Sequence, residues 1–494
     1  MGWVEHAIWW QVFPLRFLGG EPAALPPGAD IRHRLDGLEP WLDYAVELGC
    51  SGLALGPIFA SETHGYDTVD HFRIDPRLGD EADFDRLVAG ARRRGLRILL
   101  DGAFNHVGRS FPGGRQAPDG REESDEPADA TEATRAAWLR RGPDGGLVNF
   151  EGHDRLVALD HDQPAVAAYV IDVLDHWLAR GADGWRMDAA YAVPPAFWSR
   201  VLPEVRRRHP WAWFVGEMIH GDYAGYVAES GLDSVTQYEL WKAIWSSLCD
   251  RNFYELAWAL ERHNGFVEAF DPLTFVGNHD VTRLASRLDR PELIGHALAV
   301  LFSVGGVPSV YAGDEQAFRG VKEEREGGDD EVRPVFPDSP AGLSEAGLSG
   351  TGWPVYRLHQ RLIGLRRRHP WLVGGRVTVA HLTNRALAYA MTSQDGEAGA
   401  VDQDGGAGRG GEAGGGREPG GDGDRVVVLL NVADEAYRFP DEVADLTARM
   451  TVGASSESGP GGEQGEPAEV SDPLDVPAYG WRVFVPRPTS PPEA

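Results

Sequence analysis

Along residues 1–320, short apolar runs rich in β-branched and aromatic side chains alternate with stretches in which apolar residues recur every three or four positions. Runs of the first kind predict buried strands, and the spacing of the second kind predicts amphipathic helices. The predicted strands cover 7–13, 52–58, 96–103, 184–187, 213–217, 234–238, 273–277 and 308–311, and the clearest helices cover 84–94, 166–179, 195–208 and 292–302. Eight strands that alternate with helices predict an α/β fold of the (β/α)8 TIM-barrel type.

The alternation of strands and helices is interrupted by one long polar segment, and in the last part of the chain it gives way to strands alone. Residues 107–157 are polar and rich in Gly, Asp and Glu, and they are too long for an ordinary loop, so they predict a small inserted domain after the third strand. From residue 371 onward, short alternating strands over 377–382, 386–391, 426–430 and 481–485 predict a C-terminal antiparallel β-domain. The barrel would therefore comprise 1–106 and 158–370, and the C-terminal domain would comprise 371–494.

Two stretches of the C-terminal domain have no apolar period. Residues 394–424 consist mainly of Gly, Asp and Glu, and residues 454–469 are similar. Such segments bury too little apolar surface to offset the entropy of ordering, so we expect a disordered insertion at 394–424.

Composition and charge narrow the function classes. With 42% hydrophobic and 25% charged residues among 494, the chain is typical of a globular protein of two or three domains. The formal net charge of -29 argues against a nucleic-acid partner, because that binding depends on Lys and Arg. No signal peptide and no apolar stretch of about 18 residues is evident, so we expect a cytoplasmic protein without a membrane partner. Cys50 and Cys249 are expected to be core residues rather than a disulfide.

Charged and imidazole side chains gather where four predicted strands end. They are Asp101 near the end of the third strand with Asn105 and His106 after it, Arg186 on the fourth strand with Asp188 directly after it, Glu217 at the end of the fifth, and Asn278, His279 and Asp280 after the seventh. One such cluster fits a salt-bridged strand end or a helix cap equally well. Four clusters favour a shared site, because the carboxyl ends of barrel strands form the active face.

Three carboxylates with a cation and two histidines suit the cleavage of glycosidic bonds. A retaining mechanism needs one carboxylate that attacks the anomeric carbon and a second that donates a proton. Arg186 precedes Asp188 by two residues on one strand, so both side chains point the same way, and the guanidinium is expected to hold Asp188 ionised as a nucleophile. Glu217 follows apolar residues that favour a raised pKa, as a proton donor needs.

These residues resemble the motifs of the α-amylase family, glycoside hydrolase family 13, over roughly residues 3–320. The resemblance implies that Asp188 is the nucleophile, that Glu217 is the general acid/base, and that Asp280 stabilises the transition state. It also implies sugar contacts from His106, Arg186 and His279, and from Tyr66 and Asp67 in the run His64-Gly65-Tyr66-Asp67. The run Val307-Pro308-Ser309-Val310-Tyr311-Ala312-Gly313-Asp314-Glu315 is similar to the family's eighth-strand region.

The resemblance implies no cofactor for the chemistry and leaves room for a structural calcium ion. Asn105 and Asp160 match positions that bind calcium in many relatives, and calcium prefers oxygen donors. One departure concerns the leaving-group side, where residues 189–192 lack the Lys-His pair that many starch-cleaving relatives have. Ala189, directly after the nucleophile, resembles members that act on α-1,4 bonds.

The leading hypothesis is a retaining hydrolase of the α-amylase or α-glucosidase type that acts on malto-oligosaccharides or related α-glucans. A transglycosylase or a glucan-rearranging isomerase would use the same glycosyl-enzyme. A non-catalytic barrel is the alternative from another class, but such proteins typically lack one acid of the triad. A metal-dependent hydrolase using His106, Asp188 and His279 is a further alternative. The linkage, the chain length, the choice between exo and endo cleavage and the oligomeric state are left open.

Overall fold

A computed structural model describes residues 2–113, 136–325, 327–345, 349–393, 425–457 and 472–487 of the chain. Backbone contacts divide the chain into two compact units. The first contains Met1–Tyr238, Gly277–Arg283 and Pro308–Trp353, and the second contains Glu239–Val276, Leu284–Val307 and Pro354–Ala494. Each unit therefore combines segments that are distant in the sequence.

Eight strands form one parallel sheet. In spatial order they are Ser234–Val235, Trp213–Gly216, Gly184–Asp188, Arg97–Ala103, Gly52–Leu55, Trp9–Val12, Val307–Tyr311 and Leu273–Phe275. Strands one to six lie side by side in chain order and the eighth lies next to the first, so the sheet is a nearly closed (β/α)8 barrel. The predicted fold class is confirmed. The sixth strand is shorter than the predicted 234–238, because Tyr238 begins the helix Tyr238–Asp250.

The register of neighbouring strands determines which residues lie at the same level of the barrel. Asp188 pairs with Ala103 of the preceding barrel strand, and Met187 pairs with Gly216 of the following one. Glu217, the next residue along, therefore begins its loop at the level at which Asp188 ends its strand. This close fit depends on Gly184, where an added Cβ would lie 2.2 Å from the carbonyl oxygen of Trp213.

The four predicted helices are present as Glu81–Arg93, Pro164–Arg180, Pro195–Arg208 and Ile294–Ser303. Their ends follow local signals. Asp80 caps the first of them by accepting hydrogen bonds from the backbone N–H groups of Ala82 and Asp83. The second begins with Pro164 and ends at Gly181, whose φ of 118° belongs to the left-handed region.

Other elements were not predicted. The further α-helices are Pro14–Phe17, Glu39–Leu48, Tyr223–Ser230, Tyr238–Asp250, Tyr254–Ala269, Leu284–Arg287, Gly342–Glu345, Ser349–Arg368 and Asp441–Thr447, and the 3-10 helices are Val4–His6, Leu35–Leu38, Phe150–Gly152, Ala190–Ala192, Pro291–Leu293, Asp314–Gln316 and Pro370–Gly374. Antiparallel pairs join Phe59–Ser61 to Thr68–Ile74, His106–Gly108 to Leu156–Ala158, and Tyr437–Arg438 to Asp475–Val476. The second of these pairs connects the two ends of the segment predicted as an inserted domain.

The second unit contains a five-stranded antiparallel sheet. Its order is Arg376–Leu382, Ala386–Thr392, Arg425–Asn431, Trp481–Pro486 and Met450–Ser455. Four of these strands were predicted, and the fifth overlaps the start of the stretch 454–469. The predicted insertion at 394–424 lies outside the described residues, and the domain boundaries remain predictions.

One helix of the second unit is buried along its whole length. All ten residues of Ile294–Ser303 are buried, and the helix packs against Arg425–Asn431 and Trp481–Pro486. At Gly295 an added Cβ would lie 2.2 Å from Nε1 of Trp481, so only glycine allows this contact. The C-terminal sheet therefore completes the core around this helix.

Two smaller expectations concern cysteines and membranes. Cys50 is buried and Cys249 is half-buried, and neither of these two residues takes part in a disulfide bond, as predicted. In the part of the chain that the structure describes, no helix combines the length and apolar character that spanning a bilayer requires.

Candidate active site

The predicted catalytic residues converge in the first unit. Asp188 is the last residue of its strand, Glu217 follows the end of the next strand, and Asp280 lies in the segment Gly277–Arg283 of the same unit. The backbone N–H of Glu217 donates a hydrogen bond of 2.9 Å to the carbonyl of Met187, which fixes the two strand ends against each other.

Arg186 links two of the three acids. Its Nη1 lies 3.3 Å from Oδ1 of Asp188, and its Nη2 lies 2.7 Å from Oε1 of Glu217. Nη1 also lies 2.7 Å from both carboxylate oxygens of Asp101. All four residues are buried. Asp188 and Glu217 therefore face the same guanidinium, an arrangement compatible with the separation of about 5 Å that double displacement requires.

The pKa of Asp188 shifts in the direction opposite to the one predicted from Arg186 alone. Burial raises the pKa of Asp188 well above its usual range, and the negative charge of Glu217 raises it further. Arg186 offsets this rise only in part, because its single charge is shared among three carboxylates. Removal of the negative charge of Glu217 would therefore lower the pKa of Asp188.

Asp280 has two basic neighbours. Nε2 of His279 lies 2.9 Å from its Oδ2, and Nη2 of Arg333 lies 2.6 Å from its Oδ1. Burial alone would raise the pKa of Asp280, but His279, Arg333 and Arg186 together lower it well below its usual range. Asp280 is therefore ionised at neutral pH, and it can stabilise positive charge that develops on a sugar ring.

Tyr66 and His279 form one aromatic wall of the site. Their rings stack with centroids 5.7 Å apart, and Phe13 stacks on His279 at 5.4 Å. The Tyr66 hydroxyl contacts Nε2 of His279 and donates a hydrogen bond of 3.1 Å to Oδ2 of Asp101. These contacts fix the orientation of the wall before any substrate binds.

His106 lies beside Asp188 as a neutral ring. Burial lowers the pKa of His106 to about 3. The Asn105 amide donates to Nδ1 at 3.2 Å, so the proton of the neutral ring is on Nε2. This Nε2 lies 3.9 Å from Oδ2 of Asp188, and it is buried with no hydrogen-bond partner among the described residues. It can therefore donate to a hydroxyl group of a bound sugar.

Asp67 stabilises the turn that carries Tyr66. Its Oδ1 accepts hydrogen bonds from the backbone N–H groups of Thr63 at 3.0 Å and Gly65 at 3.3 Å, and its Oδ2 accepts one of 2.5 Å from the Thr63 hydroxyl. The side chain is fully buried. A direct contact between Asp67 and substrate remains a prediction.

Asn105 and Asp160, the predicted calcium ligands, already have protein partners. The Asn105 amide binds His106, and the two oxygens of Asp160 accept from the backbone of Asp162 and the side chain of Gln163. Among the described residues, no group of three His, Cys, Asp or Glu ligands forms around Asp160. The one such group, His33, Asp80 and Asp83, belongs to the cap of the helix Glu81–Arg93. Two oxygen donors do not make a calcium site, so calcium binding remains a prediction.

Sequence analysis missed the residues that hold the acids. The Tyr238 hydroxyl lies 3.3 Å from Oε1 of Glu217 and accepts a hydrogen bond of 2.8 Å from the Asn278 amide. The backbone N–H of Ala189 donates to Oε2 of Glu217 at 3.0 Å. Asn278 belongs to the predicted cluster after the seventh strand, but its contact with Tyr238 was not predicted. Arg333 lies in a loop with no periodic pattern, and nothing in the sequence distinguishes it.

Replacing Arg333 by methionine is expected to raise the pKa of Asp280, because a charge-assisted hydrogen bond is lost. The acidic limb of the pH–kcat profile should then move to higher pH by about one unit, since Asp280 would lose its charge earlier as the pH falls. Arg333→Lys, which keeps the positive charge, should recover part of this shift. An activity that falls equally at every pH would contradict this role for Arg333.

Comparison with known proteins agrees with this geometry. Residues 11–337 match the family model of the alpha amylase catalytic domain. Neopullulanase 2 of Thermoactinomyces vulgaris is 31% identical over 435 residues, which cover 81% of this chain and 69% of that protein. The intracellular maltogenic amylase of Bacillus subtilis (strain 168) is 29% identical over 346 residues, 64% of this chain and 56% of that protein.

Solved structures show the same fold. The cyclic α-maltosyl-(1→6)-maltose hydrolase of Arthrobacter globiformis, in complex with cyclic α-maltosyl-(1→6)-maltose, superposes with a TM-score of 0.71 over 98% of both chains at 23% identity. The match to the catalytic-domain model covers more than half of this sequence. The chain belongs to the α-amylase family of glycoside hydrolases.

Proposed function

We propose that the chain hydrolyses α-glucosidic bonds, chiefly α-1,4, of malto-oligosaccharides or related α-glucans with retention of configuration. The observation that carries this proposal is the sharing of Arg186 by the carboxyl groups of Asp188 and Glu217. The relatives named neopullulanase and maltogenic amylase support an α-glucan substrate. The word "intracellular" in the name of one relative supports a cytoplasmic location.

The first step forms a glycosyl-enzyme. A carboxylate oxygen of Asp188 attacks the anomeric carbon while Glu217 donates its proton to the departing glycosidic oxygen. The hydrogen bonds from Ala189 and Tyr238 orient the Glu217 carboxyl group for this transfer. A neutral, protonated Glu217 no longer raises the pKa of Asp188, so this placement of the proton favours the Asp188 carboxylate that attacks.

The second step reverses these roles. Glu217, now a carboxylate, takes a proton from water, and the hydroxide oxygen bonds to the anomeric carbon as the bond to Asp188 breaks. Two inversions give net retention. Ionised Asp280 stabilises the positive charge on the sugar in both transition states. The remaining residues proposed to contact that sugar are Tyr66, Asp67, His106, Arg186 and His279.

Product analysis tests the proposal. The wild type is incubated with maltose, maltotriose, starch, isomaltose, trehalose and sucrose, and the products are followed by chromatography and by proton NMR of the anomeric proton. We expect shorter malto-oligosaccharides with the α configuration at early times, also in the presence of EDTA. Products of β configuration would exclude retention, and complete loss of activity in EDTA would favour the metal-dependent alternative. Longer oligosaccharides at early times would identify a transglycosylase.

A further inference from the structure

Two exposed aromatic side chains lie one turn apart on a helix of the second unit. Tyr254 and Trp258, on the helix Tyr254–Ala269, are 53% and 59% exposed. Side chains four positions apart lie on the same face of a helix, with a rise of about 6 Å between them. Among the described residues, no other two exposed large hydrophobic side chains share a helix. Together Tyr254 and Trp258 form an aromatic platform, whereas single exposed side chains of this kind are ordinary.

Both side chains of the platform offer polar groups as well as ring surface. The Arg262 guanidinium lies over the Trp258 ring, 5.7 Å from its centroid, and leaves most of the side chain open. In the described part of the chain, neither the Tyr254 hydroxyl nor the Trp258 indole N–H has a hydrogen-bond partner. Each residue therefore combines an apolar ring with a polar group that can bind a ligand.

Two ion pairs border the platform. Nε and Nη2 of Arg262 donate hydrogen bonds of 2.6 and 3.2 Å to the carboxylate of Glu239. Glu255, in the first turn of the platform helix, forms an ion pair with Lys242. Glu239 and Lys242 belong to the helix Tyr238–Asp250. The charges cancel within each pair, so these side chains offer hydrogen bonds at fixed positions without attracting a ligand of either charge.

We propose that the aromatic platform binds a second α-glucan chain, at residues of the second unit and apart from the acids Asp188, Glu217 and Asp280 of the first. The identity of this glucan rests on the proposed function. Aromatic rings pack on the apolar faces of successive glucosyl units, and the bordering side chains bind their hydroxyl groups. A glucan is neutral, whereas the net charge of -29 disfavours an acidic macromolecule as the occupant.

The platform has a consequence for substrate choice. A long glucan held there stays close to the protein between encounters with the active site, which raises its effective concentration. A maltotriose molecule bound at the platform gains no such advantage, because none of its bonds is left over to reach the acids. The platform therefore favours long glucans over short ones.

The test counts binding sites in a full-length protein that cannot cleave its ligand. Asp188→Ala is titrated with maltoheptaose by isothermal titration calorimetry, and we expect two sites, namely the active site and the platform. With Trp258→Ala added, the Kd of one site should rise about tenfold. With Tyr254→Ala added as well, only one site should remain. Trp258→Phe, which keeps a ring, should give an intermediate Kd.

Kinetics of the active protein provide a second measurement. The ratio of kcat/KM on amylose to kcat/KM on maltotriose should fall about fivefold in Trp258→Ala, because only the long substrate gains from the platform. A matched control is Trp211→Ala, which removes a tryptophan of the first unit that is 47% exposed. It should leave this ratio and both binding sites unchanged.

Two results would overturn the inference. One is a number of sites and a set of Kd values that survive both substitutions at the platform. The other is a change of oligomeric state on ultracentrifugation of Trp258→Ala, which would make the platform a contact between two copies of the chain. The binding measurement does not depend on turnover. If the wild type fails to hydrolyse malto-oligosaccharides, the proposed function fails; if it hydrolyses them and the platform variants bind maltoheptaose normally, this inference alone fails.

Discussion

Replacing Asp188 by alanine is expected to lower kcat on maltotriose by about 10⁴-fold or more, because no glycosyl-enzyme can form without its carboxylate. The residual protein still contains Glu217, Asp280 and the sugar contacts, so KM should change much less than kcat. Initial rates with purified wild type and variant measure this. A matched control is Asp172→Ala, which removes an exposed carboxylate from the helix Pro164–Arg180 and should leave kcat unchanged.

Azide distinguishes the loss of a nucleophile from general damage. Azide ion can occupy the space left by the Asp188 side chain, attack the anomeric carbon of α-maltosyl fluoride and release fluoride. The expected product is β-maltosyl azide, of inverted configuration, formed by Asp188→Ala and not by the wild type. A variant that retains activity on maltotriose would identify another group as the nucleophile.

Replacing Arg186 by methionine is expected to have the largest effect on stability, about 3–5 kcal/mol. It leaves Asp101, Asp188 and Glu217 buried without the cation that contacts all three. Activity should fall as well, because the two acids would no longer be held toward one another. Urea unfolding curves and kcat on maltotriose measure the two effects.

The loss of stability in Arg186→Met should depend on pH. Burial already raises the pKa of Asp188, and Arg186 is a group that opposes this rise. An acid whose pKa is raised in the folded state destabilises the protein increasingly as the pH rises from its unfolded-state pKa to the raised value, so the loss should be greater at pH 8 than at pH 5. Asp101→Asn in the same variant should recover part of it. A loss of equal size at both pH values would mean that packing, and not charge, is responsible.

The control for this experiment is Arg206→Met. Arg206 forms an ion pair of 2.8 Å with Asp233 at a partly exposed position, where side-chain exposures are 27% and 22%. Solvent screens such pairs, so a much smaller change is expected. A loss as large as that of Arg186→Met would show that removal of a partly exposed arginine ion pair has the same effect, and that burial of the three carboxylates is not the cause.

The barrel and the acids at its mouth could be predicted because both follow from local pattern. Barrel strands are buried on both faces, so they appear in the sequence as short apolar runs, such as the one that ends at Asp101 and the one that ends at Asp188. A polar residue directly after such a run lies at the active face by geometry alone. Arg186 and Asp188 share a side because strand residues alternate, which requires no knowledge of the loops.

The remainder depends on contacts between distant segments. Arg333 contacts Asp280, 53 residues away in the sequence, and Tyr191 contacts Glu151, 40 residues away. No local sequence pattern predicts either contact. The direction of the pKa shift of Asp188 could not be predicted from its strand, because it depends on burial and on the neighbouring Glu217 as well as on Arg186. The strand Met450–Ser455 was not predicted, because its polar and glycine residues interrupt the alternation of apolar and polar positions that is typical of a strand.

The helix Ile294–Ser303 has a consequence for how the protein is made. Its apolar sides are covered by strands that the ribosome produces much later, and His296 donates a hydrogen bond to the Asn431 carbonyl, 135 residues further along the chain. Closing so long a loop carries a large entropic cost, and it must wait until the distant strand has emerged. During synthesis this helix therefore exposes apolar surface that is prone to aggregation and that chaperones would cover. A translational pause before Trp481 would lengthen the time for which this surface is exposed.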